Sequence, residues 1–145
     1  MKAEMKSSVL GFAVVVMFML FSMGPGTAQN MSETEIEITS VTGGLGGVTM
    51  EIKNAGEVTA EDVVVTISVE GGIGGNIDVQ KICSGCSACG TELEPGATKT
   101  ESTLEEQLIL GLGGVAISVS ASASNAAETS QSLQGWVIGP LVIIF

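Results

Sequence analysis

The chain has 145 residues, 45% of them hydrophobic but only 3% aromatic, with 20 glycines, 3 cysteines, 5 lysines and no arginine, histidine or tyrosine. Without histidine there is no Ser/His/Asp or Cys/His nucleophile pair and no imidazole metal ligand, which excludes most familiar hydrolases and zinc enzymes. Sixteen acids against five lysines give a formal charge of −11; phosphate neutralisation needs clustered Lys and Arg, so no nucleic-acid partner is expected.

The first 28 residues read as an address. Lys2 and Lys6 form a positive n-region, Val9 to Met23 is an almost unbroken apolar run, and Gly26-Thr27-Ala28 offers small residues at −3 and −1 of a cleavage site after Ala28. An uncleaved anchor is the competing reading, although the run is shorter than the roughly 20 residues of a spanning helix. Either way the remainder is expected outside the cytoplasm, secreted or at the cell surface, with residues 29–33 as a linker and 34–145 as the folded domain. No Cys follows the run, so an acylated-Cys anchor is not expected, and Asn30-Met31-Ser32 is a glycosylation sequon by pattern. Removing the segment leaves 117 residues with Lys53, Lys81 and Lys99 against fifteen acids, a charge of −12, and only Trp136 and Phe145 as aromatics. A core built from Val, Ile, Leu and Ala, with Thr and Ser between, favours sheet over helix.

In chain order, period-two alternation predicts strands over 35–41, with Ile36 and Ile38 on one face, over 48–53, over 63–69, with Val63, Val65, Ile67 and Val69 inward, and over 115–122. Weaker strands are expected over 73–82, 97–104 and 128–138, and a strand followed by a short turn over 101–110. Turn signals separate them: Gly43-Gly44, Asn54-Ala55-Gly56, Gly71-Gly72, Pro95-Gly96, Gly111 to Gly114 and Ser124-Asn125. About seven short strands of this kind predict an all-β, antiparallel two-sheet sandwich. The Gly-rich tracts at 43–47, 71–75 and 111–114 lack a following Lys-Ser/Thr or helix, so they read as hairpin turns and bulges and not as phosphate cradles. Leu45, Ile73 and Leu112 within them are expected to cap the ends of the core. The uncharged segment Trp136 to Phe145, interrupted by Pro140, is expected to form a final buried strand or to dock on a partner or membrane surface.

Ile52-Lys53-Asn54-Ala55-Gly56-Glu57-Val58-Thr59-Ala60-Glu61-Asp62-Val63 resembles the I-x-N-x-G-x-x-x-A-x-x-V signature of CARDB-like domains, immunoglobulin-like modules associated with cell adhesion. Leu93-Glu94-Pro95-Gly96-Ala97-Thr98-Lys99-Thr100 resembles their turn before a strand, and Gly114 to Val119 their penultimate strand. Gly135-Trp136-Val137-Ile138-Gly139-Pro140 is similar to the closing segment of short exported archaeal proteins. The resemblance spans about residues 34 to 140; it implies an immunoglobulin-like fold, an extracytoplasmic place and a scaffold or adhesive role, and carries over no catalytic residue. Physically, Asn54 can accept a local hydrogen bond, Gly56 can take a positive φ, and Ala60 fits where the chain passes close to the facing sheet.

All three cysteines fall in Cys83-Ser84-Gly85-Cys86-Ser87-Ala88-Cys89. Three readings are open. A disulfide is natural in an exported chain, Cys83 with Cys89 or one C-x₂-C pair, and leaves one thiol over. Thiolates at this spacing also suit a metal or cluster, but with no fourth Cys and no His the shell needs Asp78, Glu92, water or a second chain. A redox-active C-x₂-C is the third. Glu61-Asp62 and Asp78 are the best candidates for a Ca²⁺ site against a plainly solvated acidic surface. Glu92 with Glu94 and Glu105 with Glu106 are carboxylate pairs without the aromatic platforms that hold sugars. The expectation is a non-enzymatic exported module with a structural, adhesive or binding role and no bound cofactor, an exported thiol, metal or redox protein being the alternative. Its partner is expected to be a protein or cell-envelope component, with membrane contact through the N-terminal segment or residues 136–145.

Overall fold

A computed structural model describes residues 34–84 and 92–145. The signal segment 1–28, the linker 29–33, Cys86 and Cys89 lie outside the described residues. Within them the chain forms ten strands: β1 (Ile36–Gly43), β2 (Val48–Asn54), β3 (Ala60–Glu61), β4 (Val64–Gly71), β5 (Ile77–Ser84), β6 (Glu92–Leu93), β7 (Thr98–Ser102), β8 (Gly111–Ala123), β9 (Ala126–Gly139) and β10 (Leu141–Ile144). One 3₁₀ turn, Thr103–Glu105, follows β7. The strands form antiparallel sheets ordered β1-β2-β7 and β10-β9-β8-β4-β5, with β3 and β6 as a separate short pair. This is an all-β sandwich.

Its core is aliphatic because the alternation has period two, so every second residue meets the facing sheet. Val48, Met50 and Ile52 from one sheet join Val65, Ile67, Val69, Val115, Ile117, Val119 and Val137 from the other in a single buried cluster. Burying an aliphatic side chain of this size contributes about 1.5–3 kcal/mol, so a core without aromatic residues suffices for a domain of this length.

Three expectations are corrected. The glycines at 111–114 make no turn: they open β8, paired with the end of β9 in the register Gly111↔Gly139 and Gly113↔Val137. The 72–75 turn also folds onto them, Ile73 N–H donating to Leu112 C=O at 2.7 Å and Gly72 N–H to Gly114 C=O at 2.8 Å. Glycine is needed at 113, where φ is +123° and a Cβ would meet the Ile73 nitrogen at 2.9 Å. Leu45, Ile73 and Leu112 cap nothing, being exposed on the outside. Trp136 to Phe145 is not one buried strand: Gly139, with φ +63°, and Pro140 turn it into the hairpin β9–β10. A positive-φ glycine at the first central position suits a two-residue hairpin loop.

Candidate functional site

Cys83 sits near the end of β5 and faces the core, where it is buried. Two residues earlier on the same face is Lys81, only 4% exposed. Both look across to Glu101 of β7, which is 7% exposed. Lys81 Nζ lies 3.2 Å from Glu101 Oε2 and 2.8 Å from Glu105 Oε2, and donates to Ser102 C=O at 2.8 Å. Lys99 Nζ approaches Glu101 Oε1 at 3.3 Å, and the Cys83 sulfur lies 3.6 Å from that same oxygen. The ion group therefore bridges β5 and β7, each the outermost strand of its sheet.

Burial by itself would lower the Lys81 pKa, but its hydrogen bonds and charge attraction to Glu105 and Glu101 outweigh it, and the ammonium is held above the ordinary lysine range. The hydrogen bond from Lys81, together with its charge, holds the exposed Glu105 below the ordinary carboxylate range. Glu105 is thus kept ionised, which suits an ion pair and not a general acid. No buried polar side-chain atom among the described residues lacks a partner. The cluster joins two edges and presents no poised proton donor or nucleophile.

The turn residues converge on Asn54, which is fully buried. Its Nδ2 donates to Val58 C=O at 2.7 Å and to Leu93 C=O at 2.8 Å, while its Oδ1 accepts from Gly56 N–H at 2.9 Å and from the Thr34 hydroxyl at 2.6 Å. Gly96 N–H donates to Asn54 C=O and Asn54 N–H to Ala97 C=O, which fastens the Pro95-Gly96 turn, with Gly96 at φ +75°, to the end of β2. Gly56 needs glycine for a reason other than the positive φ expected: its φ is not positive, and a Cβ there would come within 2.5 Å of Thr34 Oγ1 and 2.7 Å of the Glu35 nitrogen.

The Ca²⁺ candidates are not brought together. Glu61 and Asp62 precede β4, whereas Asp78 lies beside Glu70 at its far end, on the outer face of β5. Glu61 is instead paired across β3–β6 with Glu92. Among the described residues no group of three or more Cys, Asp or Glu is arranged to hold a metal ion. A groove of about 460 Å³ runs between β1 and β10, lined by Val41, Thr42, Gly43 and residues 141–145, apolar and without acid–base side chains.

No family model matches the chain, and no curated protein is significantly similar to it. The buried Lys81–Glu101 pair is the feature that motif reading passed over, though a signal existed: in Ile77, Val79, Lys81, Cys83 a charge occupies an inward position of an otherwise apolar alternation. Glu101, 20 residues away, offers no such signal, because its inward position depends on how β7 pairs with β2.

Proposed function

We propose that this is an exported, non-enzymatic immunoglobulin-like module with a structural, adhesive or binding role outside the cytoplasm. The observation that carries the reading is a contrast between interior and surface. The interior is aliphatic, with its buried polar groups paired to one another, whereas large apolar side chains stand on the outside. Chemistry needs reactive groups in a protected site, and contact needs exposed apolar surface. The immunoglobulin-like assignment is supported by strand order. A sheet β9-β8-β4-β5 opposite β1-β2-β7 follows the order G-F-C-C′ opposite A-B-E, with β10 added at the G edge.

The cysteine loop fits this role as a staple. In this reading Cys83 is half of a disulfide with Cys89 or Cys86, leaving one thiol over. A buried sulfur suits a structural bridge better than thiol exchange or metal delivery, which need access. The N-terminal segment is read as the export signal, cleaved after Ala28. The test is expression with the native N-terminus in an exporting host. Recovery outside the cytoplasm, beginning at Gln29 and labelled on intact cells by a membrane-impermeant amine reagent, is the expected result. Retention in the cytoplasm as the full-length chain would contradict it.

A further inference from the structure

The outer face of the five-stranded sheet is divided. On β4 and β5 it carries Glu70 and Asp78, directly opposite each other. On β8, β9 and β10 it carries no charge along its upper half. There Leu112, Ile138 and Leu141 stand side by side in register, Leu45 bridging to Leu141 as the fourth of the row, with Trp136 opposite Ile143 in the next row. Residues directly opposite in adjacent strands share a face, so these six form one continuous surface. They are exposed by between 41% and 73%. At that exposure they present on the order of 600 Å² of apolar surface, the upper end of what a monomer leaves in water.

Gly114 lies on this same face, directly opposite Trp136. Among the described residues nothing asks for glycine there: its φ is not positive, and a Cβ would meet only Gly135 C=O, at an ordinary van der Waals distance of 4.0 Å. Glycine inside a long strand weakens it and marks places where another backbone comes close. Beside it on β8 are Ala116, Ser118 and Ser120, so Trp136 and Ile138 stand as knobs next to a low, flat strip of small residues.

From these observations we infer that the β8–β9–β10 face is the contact surface for a second copy of this chain, packed sheet against sheet about a twofold axis, Trp136 of one protomer filling the space above Gly114 of the other. Three arguments favour a second copy. A face with knob and hole side by side is self-complementary, as a twofold interface requires. Two such faces together remove about 1,200 Å² of surface, the lower limit of a specific interface. In a chain with a formal charge of −11, like copies repel everywhere except across a neutral face, and Glu70 and Asp78 beside it make association stronger in salt. The inference does not depend on the role proposed above, since any exported or cytoplasmic chain with this face would pair.

Trp136 is the only tryptophan, so its emission reports the contact directly. The test is sedimentation velocity and Trp136 emission over a range of concentrations, on protein whose accessible thiols are alkylated. Expected is a reversible dimer whose formation coincides with a blue shift and tightens with added salt. Trp136→Ser and Gly114→Val each weaken it at least tenfold, and Gly114→Val leaves the monomer's melting temperature unchanged or raised. A monomer at every concentration overturns the inference, as does a dimer indifferent to both substitutions. So does a blue shift seen only on adding phosphatidylcholine vesicles, which would assign the face to a membrane.

Discussion

Replacing Asn54 by alanine removes four hydrogen bonds at once, to Val58 C=O, Leu93 C=O, Gly56 N–H and the Thr34 hydroxyl. The Thr34 hydroxyl and Val58 C=O still reach each other at 2.8 Å, but Leu93 C=O and Gly56 N–H lose these bonds, and each buried polar group left unpaired costs about 1–3 kcal/mol. Asn54→Ala is therefore expected to lower stability by about 3 kcal/mol in chemical denaturation; a loss below about 1 kcal/mol would show that the hub matters little. Gly56→Val is expected to lower the melting temperature through collision with Thr34 and Glu35, and an unchanged melting temperature would refute the close approach. The importance of Asn54 and Gly56 was legible in the I-x-N-x-G spacing. Their mechanism was only half so: the Gly56 N–H bond is local, but the bond to Leu93 joins residues 39 apart in sequence, and no local pattern encodes that.

The edges of the two sheets are held by charge. Outermost strands risk pairing with other chains, and an inward-pointing charge is one device that discourages it. Lys81 on β5 and Glu101 on β7 supply that charge at facing edges. Lys81→Ala leaves the buried Glu101 with Lys99, at 3.3 Å, as its remaining ion-pair partner, so it is expected to cost about 2 kcal/mol, whereas Lys81→Met with Glu101→Leu is expected to fall within about 1 kcal/mol of the parent. Equal losses in the two variants would contradict this account of the pair. The same group sets a pH dependence. Glu105, with a lowered pKa, contributes stability above the ordinary carboxylate range that is lost as pH falls through it. Lys81, with a raised pKa, contributes stability below the ordinary lysine range that is lost as pH rises past it. The stability difference between the parent and Glu105→Gln is thus expected to be constant from about pH 6 to pH 9 and to shrink toward zero below about pH 4. A difference that persists at low pH would place its origin elsewhere than in the carboxylate.

At the scale of the whole molecule, the sandwich was legible because buried strands leave a period-two trace wherever one face meets the core. The tracts at 63–69 and 115–122 lie within or against β4 and β8, the centre of the larger sheet. The glycine tract at 111–114 was misread because glycine serves turns and close backbone approach alike, and only the neighbouring 72–75 turn and β9 decide between them. The C-terminal hairpin was missed for a related reason. Its residues are apolar on both faces, so alternation gives no sign of which side is buried until Val137 and Val142 are seen inside and Trp136, Ile138 and Ile143 outside. That doubly apolar hairpin is also where Trp136, Ile138, Leu141 and Ile143 stand exposed.

Whether the residues around Cys83 staple the sandwich or carry thiol or metal chemistry is decided by intact mass of the exported protein, before and after reduction and alkylation, with elemental analysis of the unreduced sample. Expected is a chain beginning at Gln29, two hydrogens lighter than its reduced form, with one alkylatable thiol and no stoichiometric metal. Three free thiols, with no mass change on reduction, holding one equivalent of metal would overturn the staple and make residues 83–89 the functional centre.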